Sequence, residues 1–274
     1  MAEKTQRTKI DLAFLNGRPL SYSSLKEFER SPAHYYHYIT TKKKEFSWDK
    51  MMGSLVDCLI FSADNFDRRY AFYPKFKKDK TVNKEMFRES HPKKICIEIE
   101  DFQLAKQIAK SVRNNSSAKA FIKATTQTQW KIRFTDKATG LPIVVIIDGK
   151  GDSFAYDLKT AKDGNPDGYH RSAYDYKYHL QAGMYCRGLE SKRIFVPFWH
   201  IVAEKEEPFC VSVFKDHEDF IEAGKQDFEK LLTKFAHCMK IDPYFESGYE
   251  FHSPNVQGHH TLELPYYART KYEL

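Results

Sequence analysis

The stretch VVIIDGKGDSFAYDLK, residues 144–159, decides the fold because it contains two predicted strands joined by a glycine-containing turn. Residues 142–147 are mostly β-branched and apolar, which predicts a strand buried on both faces. Residues 153–158 alternate in polarity, as the antiparallel partner in a hairpin would. The hairpin therefore brings Asp148 and Asp157 to neighbouring positions at the ends of two strands.

Lys159 completes the polar group at the end of the second strand. Side chains alternate across a strand, so Asp157 and Lys159 project to one face while Leu158 packs on the other. Carboxylate oxygens are the ligands that hard divalent cations prefer, and an ammonium beside such ions can stabilise a charged transition state. This layout is typical of a metal-dependent nuclease, with Asp148, Asp157 and the Leu158 carbonyl as candidate metal ligands. Acidic and basic residues also flank ordinary surface hairpins, and the spacing alone leaves that alternative open.

An aromatic and polar stripe follows the hairpin. The spacing predicts a helix from near Ser172 to near Gly188. Its stripe residues lie at helical intervals and are Tyr174, Tyr178, Gln181 and Tyr185. Simple aromatic packing is the alternative, but a buried glutamine amide without partners is costly, so we expect Gln181 to be hydrogen-bonded.

Four ordered motifs give the chain a family resemblance. They are S-x-S-S-L-x-x-F-x-x-S-P-A-H-Y at 21–35, G-S-L-V-D-C-L at 53–59, D-L-K at 157–159 and Y-x-Y-H-x-Q-x-x-x-Y at 176–185. Together they resemble the RecB-type branch of the PD-(D/E)xK nuclease superfamily, and within it the RecE-like (exodeoxyribonuclease VIII) nuclease domains. The resemblance runs from about residue 20 to residue 245.

The resemblance implies an α/β fold with a mixed central β-sheet flanked by helices, the restriction-endonuclease-like core. It implies a Mg²⁺-dependent DNA exonuclease, with Mn²⁺ as a substitute, that degrades linear double-stranded DNA from 5′ to 3′. The product would be a 3′ overhang for a single-strand annealing protein, and the enzyme a homo-oligomer, commonly a tetramer, in the cytoplasm of a bacterial or phage-infected cell. The alternatives are a non-processive endonuclease and a catalytically impaired DNA-binding protein of the same fold.

The family pattern also implies roles for individual residues. The metal ligands correspond to Asp148 and Asp157, the catalytic lysine to Lys159, and the structural or water-positioning pair to Gln181 and Tyr185.

Two positions depart from the family pattern. The fourth residue after Gly53 is normally a histidine ligand, and here it is Asp57. An aspartate supplies a hard oxygen donor, so we expect Asp57 to be a metal ligand that favours harder ions; an ordinary exposed helix residue is the alternative. The second departure is Gln129, where RecE-like proteins tend to carry glutamate, so its contribution is open.

The net charge of +7 indicates a polyanionic partner, since the candidate site itself concentrates carboxylates. Basic residues interleaved with aromatics at 68–80 suit phosphate contacts and base stacking, although a solvated loop packed by its own aromatics fits nearly as well. Hydroxyl groups at the start of the first motif could lie near a terminal phosphate. The candidate DNA-binding residues are Ser21, Ser23, Ser24, Arg68, Arg69, Lys75, Lys77, Lys78 and Tyr178.

Length and composition predict one domain with helical additions. We expect a polar N-terminal segment at 1–20, a nuclease domain at 21–246 and an irregular tail at 247–274. One long helix is predicted at 101–124. The five cysteines are widely spaced with no C-x-x-C pair, which predicts no iron–sulfur cluster. No apolar run is long enough to cross a membrane, and no secretory signal is visible.

Overall fold

The computed structural model describes residues 7–41, 47–75 and 80–252. The helices are α1 Leu12–Gly17, α2 Tyr22–Arg30, α3 Pro32–Thr40, α4 Trp48–Phe61, α5 Phe66–Arg69, α6 Lys80–Ser90, α7 Ile99–Asn114, α8 Ser116–Lys123, α9 Pro166–Asp175, α10 Tyr178–Ser191 and α11 Glu218–Ile241, with short 3₁₀ turns at Ala63–Asn65 and Tyr249–Phe251. The strands are β1 Tyr70–Phe72, β2 Ile95–Ile97, β3 Gln127–Thr135, β4 Pro142–Lys150, β5 Ala155–Ala161, β6 Phe198–Glu204 and β7 Val211–Lys215.

The central sheet is mixed, as predicted. Its five strands are ordered β3-β4-β5-β6-β7, and only the β5–β6 pair is parallel. Parallel neighbours need a crossover connection, and α9 and α10 supply it. A separate parallel pair joins β1 to β2. The observed α/β architecture with helices around a mixed sheet confirms the fold class predicted from the sequence.

The sheet lies between two apolar layers because its strands alternate. Ile143, Val145 and Ile147 of β4 pack with buried residues of α2, α10 and α11. On the other face, Leu158 of β5 and Ile201 of β6 pack with α4 and α7. Full burial of an aliphatic side chain contributes about 1.5–3 kcal/mol, so these layers fix the register of the strands.

Two predicted helices are each broken in two. The helix expected at 172–188 stops at Asp175, and α10 begins only after Lys177, whose backbone is left-handed with φ 64°. Tyr174 is therefore not on the stripe with Gln181 and is 66% exposed. The helix expected at 101–124 is interrupted at Asn115, whose side chain accepts the Ala118 N–H and caps α8. An asparagine competes with the helical backbone for hydrogen bonds, which explains the second break.

The ends of the described chain join the core. Ile10, Leu15 and Leu20 are fully buried in the main apolar layer, although residues 1–20 were expected to form a polar segment. At the C-terminal end of the described residues, the His252 ring lies 5.5 Å from the Phe28 ring. No helix in the described ranges has the length and apolar character that crossing a membrane requires.

Candidate active site

The site forms where β4 and β5 separate. The two strands pair at Gly149 with Tyr156 and at Lys150 with Ala155, and the pairing then ends. Gly149 is required there because a Cβ atom would lie 2.1 Å from the Tyr156 ring. Asp148 bridges the gap between the strands, since its Oδ2 accepts the Leu158 N–H at 2.8 Å. The buried carboxylate thus takes the place of a ladder hydrogen bond.

Gln129 holds the other oxygen of Asp148. Its Nε2 donates to Asp148 Oδ1 at 2.9 Å. Gln129 has a left-handed backbone with φ 48° and is skipped in the register between Thr128 and Trp130. A non-glycine residue in this conformation is strained, and such strain is maintained where it aims a side chain. The sequence left the contribution of Gln129 open, and the structure places it against Asp148.

Asp157 and Lys159 lie side by side on one face, as the alternation predicts. Lys159 Nζ is 2.5 Å from Asp157 Oδ2 in an ion pair, although Oδ2 has no well-directed hydrogen bond. Gln181 satisfies its whole amide in this network. Its Oε1 accepts from Lys159 Nζ at 2.8 Å, and its Nε2 donates to Asp157 Oδ1 at 3.0 Å and to the Tyr185 hydroxyl at 2.9 Å. The expected hydrogen bonding of Gln181 is confirmed.

Asp57 approaches the site from α4. Gly53, one turn earlier, faces β5, and a Cβ atom there would make an ordinary contact of 3.4 Å with Thr160 Oγ1. Burial and the negative charge of Asp157 raise the pKa of Asp57 to about 7, while Lys159 and Arg69 oppose that rise. Among the residues that the structure describes, no hydrogen bond or ion pair reaches the Asp57 carboxylate. Asp57 is thus a partly buried, electrostatically coupled group, unlike an ordinary exposed helix residue.

Comparison with known families decides where the chain belongs. A family described as a PDDEXK-like domain of unknown function (DUF3799) matches residues 21–244. The chain belongs to this PDDEXK-like family. Family membership and fold together support a nuclease.

A solved structure shares the fold of this PDDEXK-like chain. The crystal structure of a "Putative exonuclease" from Eubacterium rectale covers 96% of this chain and 98% of its own, with a TM-score of 0.58 and 13% identity. The crystal structure of SSO0001 aligns over 82% of this chain and 96% of its own, but its TM-score of 0.27 at 12% identity is too low to bear on the fold. No curated protein matches the sequence.

Electrostatics of the PDDEXK-like site favour a protonated lysine among acids. Burial lowers the pKa of Lys159, but Asp157, Tyr178 and Asp148 outweigh burial, and the pKa lies above its ordinary value. Burial, Asp157 and Asp57 raise the pKa of Asp148 well above its ordinary range, against the opposing Leu158 N–H. The charges of Asp57, Asp148 and Asp157 therefore act on one another, Lys159 forms its ion pair with Asp157, and negative charge is in excess when all three carboxylates are ionised.

A divalent metal ion, which PDDEXK nucleases typically use, would neutralise this excess negative charge. Within residues 7–41, 47–75 and 80–252, no three Asp, Glu, His or Cys side chains converge in a ready metal-binding geometry. The chemistry of the donor set nevertheless fits a hard cation. Asp57 has no hydrogen bond to lose, Asp157 Oδ2 lacks a well-directed donor, and carboxylate oxygen is the ligand that Mg²⁺ prefers. Asp57, Asp148 and Asp157 are the side chains that could hold such an ion.

The predicted DNA-binding residues separate into several groups. Ser21 and Ser24 form the capping box of α2, so both hydroxyls are hydrogen-bonded to the helix backbone. Ser23, in contrast, is exposed. Arg69 donates to Ser54 Oγ at 2.9 Å, and its positive charge opposes the rise in the pKa of Asp57.

The remaining predicted DNA contacts lie farther along the chain. Arg68 and Lys75 are exposed, while Lys77 and Lys78 lie outside the described residues. The Tyr178 ring lies beneath the ammonium of Lys159, with Nζ 4.5 Å from the ring centroid, so this tyrosine borders the site directly.

Tyr22 is a site residue that the sequence did not single out. Burial raises the pKa of the Tyr22 hydroxyl, and the neighbouring Tyr178 and Asp157 raise it further. That hydroxyl donates to the Tyr176 carbonyl at 2.7 Å. Tyr22 occupies the variable position of the S-x-S-S-L motif, and only its spacing from the α2 cap could have drawn attention to it.

Proposed function

We propose that this protein is a Mg²⁺-dependent deoxyribonuclease that hydrolyses phosphodiester bonds at the site of Asp57, Asp148, Asp157 and Lys159. The observation that carries this proposal is the buried Asp157–Lys159 ion pair with Asp148 beside it on the neighbouring strand, on the fold of a PDDEXK-like family, where Asp57 of α4 feels the charge of Asp157. Lys159 offsets one of the three negative charges, and holding the other two close together costs several kcal/mol, so the arrangement favours an exogenous cation.

The bound Mg²⁺ would neutralise charge on the phosphate and lower the pKa of the attacking water. Lys159 stays protonated because its pKa lies above the ordinary value, so its role is to donate to a phosphate oxygen or to orient water, not to accept a proton. Gln181 fixes both Lys159 and Asp157, since its single amide bonds to each. Tyr185 in turn fixes the amide of Gln181. We assign the Leu158 carbonyl as a further ligand of the ion.

We further propose that the enzyme is an exonuclease on linear double-stranded DNA, working from 5′ to 3′. Support comes from the net positive charge of the chain, which suits a polyanion, and from the fold shared with the Eubacterium rectale structure named "Putative exonuclease". In this proposal Mn²⁺ can substitute for Mg²⁺, the protein is a homo-oligomer, and the 3′ overhang is passed to a single-strand annealing protein.

The test uses linear duplexes with 5′-phosphate or 5′-hydroxyl ends, together with closed circular duplex, in Mg²⁺ and in EDTA. The proposal expects metal-dependent loss of linear DNA, mononucleotide release and intact circles. Nicking of the circles would indicate that the protein is an endonuclease and not an exonuclease. Binding without cleavage of any substrate would indicate the catalytically impaired DNA-binding protein instead. Asp157→Ala, which removes one carboxylate, is the inactive control.

A further inference from the structure

A basic pocket lies between α3, the start of α2 and the β3–β4 pair. Its volume is about 250 Å³, which is room for a phosphate group together with several waters of roughly 30 Å³ each. Three cations line it, Arg18 from the segment before α2 and Lys131 and Arg133 from β3. None of the three belongs to the site described above, and the sequence did not single them out.

The positive charge of this pocket is not neutralised by its own walls. No aspartate or glutamate lines it. Arg18 donates to the Ile39 carbonyl, which is a neutral acceptor. Lys131 and Arg133 are exposed side chains without an ion pair in the described part of the chain. Three like charges around one concave surface repel one another, so the pocket favours an anion.

A tyrosine hydroxyl in the wall of the pocket has no partner. Tyr35 is only 1% exposed, because its ring packs against Phe28, Phe235 and Phe245. Its hydroxyl makes no hydrogen bond to any described residue. It is not one of the fully enclosed unpaired atoms of those residues, so the little surface that Tyr35 keeps is at its oxygen. A buried hydroxyl that is open only to a basic pocket points to a ligand that accepts a hydrogen bond.

Two further features make this pocket suit an oxyanion. Burial raises the pKa of Tyr35 although Arg18 opposes the rise, so the hydroxyl stays protonated and can donate. Ser21 and Ser24, at the N-terminus of the nine-residue helix α2, also line the pocket. Their hydroxyls are used in the capping box, but the positive end of the helix dipole remains and favours a bound anion.

The pocket shares a face of the β3–β4 pair with the candidate catalytic carboxylate. Arg133 is the register partner of Val144, which lines the pocket, and Gln129 on the same side of β3 donates to Asp148. Ile146 lies between them on β4 and is 43% exposed, so the surface from pocket to carboxylate is open. Four residues of a strand span about 13 Å. Phosphates of one DNA strand recur every ~3.4 Å along the helix axis, so this span corresponds to a few nucleotides.

We propose that this pocket binds a backbone phosphate of the DNA a few nucleotides from the scissile bond, through Lys131, Arg133 and the Tyr35 hydroxyl. The inference rests on the proposed nuclease function, and it adds a second contact that holds the substrate across the β3–β4 face. A 5′-terminal phosphate has the same chemistry. The span of about 13 Å, however, is too long for the terminal phosphate of a mononucleotide that is being released at Asp148.

Binding can be measured without cleavage, by fluorescence anisotropy of linear duplexes in EDTA at several salt concentrations. Lys131→Ala and Arg133→Ala should each weaken binding about five- to tenfold. Each should also lower the slope of log affinity against log salt by about 0.9, the effect of one lost phosphate contact. Lys234→Ala removes an exposed lysine of α11 outside the pocket and should leave affinity and slope unchanged.

Tyr35→Phe is the sharper variant because it removes the hydroxyl and no charge. It should weaken binding about tenfold at an unchanged salt slope, a result that a diffuse basic surface cannot produce. Thermal unfolding should be unaffected, since the hydroxyl has no partner in the described residues to lose. If Tyr35→Phe does not fold, the comparison of Arg133→Ala with Lys234→Ala decides the question, because both side chains are exposed.

The duplexes carry either 5′-phosphate or 5′-hydroxyl ends, which distinguishes the two sources of phosphate. Equal weakening on both supports an internal phosphate. Weakening confined to the 5′-phosphorylated duplex would assign the pocket to the strand end and overturn the proposal. Wild-type affinity of Tyr35→Phe, or equal effects of Arg133→Ala and Lys234→Ala, would overturn it as well.

Nuclease assays on the same proteins separate this inference from the proposed function. Metal-dependent cleavage by a wild type whose pocket variants bind DNA normally would overturn the phosphate pocket alone. Pocket-dependent binding by a protein that cleaves no DNA would overturn the nuclease function and leave the pocket standing.

Discussion

Asp57→Asn should make the folded protein more stable and the enzyme inactive. In the folded chain, burial and the charge of Asp157 raise the pKa of Asp57 from 3.8 to about 7. Each pKa unit corresponds to about 1.36 kcal/mol, so the ionised carboxylate destabilises the fold by at most about 4 kcal/mol. Because the side chain keeps some contact with solvent, we expect about 2 kcal/mol.

The pH dependence of the free energy of unfolding determines the direction of this effect. Between about pH 4 and pH 7 the folded state binds more protons at Asp57 than the unfolded state, so stability falls as the pH rises through this window. The asparagine variant lacks this titration. The two proteins should therefore be equally stable near pH 4 and differ most above pH 7, with Asp57→Asn the more stable.

Urea unfolding in EDTA at several pH values measures this difference. Addition of Mg²⁺ should then stabilise the wild type by mass action and stabilise Asp57→Asn much less, because one ligand is missing. Cleavage should fall by about 10²-fold or more. Asp64→Asn, which removes an exposed carboxylate nearby, should change neither quantity. Equal stability of wild type and Asp57→Asn at pH 8, or equal stabilisation of both by Mg²⁺, would refute the placement of Asp57 in the charged cluster.

Three further predictions concern the lysine, the strained glutamine and the helix crossing. Lys159→Ala should slow cleavage by about 10²- to 10³-fold while metal binding, followed by Mn²⁺ calorimetry, persists; the exposed Lys162→Ala is the matched control, and loss of metal together with the lysine would make its role structural. Gln129→Ala should weaken metal affinity because it leaves a buried carboxylate oxygen without its donor, and unchanged affinity would show that this bond does not position the ligand. Gly224→Ala should destabilise the fold by about 3 kcal/mol, since its Cβ would lie 1.8 Å from a backbone oxygen where α10 and α11 cross, whereas Gly17→Ala meets no atom within 4 Å and should be nearly neutral in thermal unfolding.

The sequence predicted what depends on period and spacing along the chain. Alternation across β5 placed Asp157 and Lys159 on one face and Leu158 in the packing layer, because a strand has a side-chain period of two whatever surrounds it. Gln181 was predicted to be hydrogen-bonded because a buried amide must be paired. The same local reasoning predicted too long a helix at Tyr174, since periodicity does not reveal a single left-handed residue such as Lys177.

Only the tertiary structure decided how distant residues combine. The elevated pKa of Asp57 depends on burial and on Asp157, which lies on another element, and no pattern within α4 contains that information. The bond from Gln129 to Asp148 arises from a left-handed residue in β3, and no spacing along the chain indicates it. A sequence records which groups can ionise or donate. Their desolvation and their partners are set by packing, and those two quantities determine the charge at the candidate site.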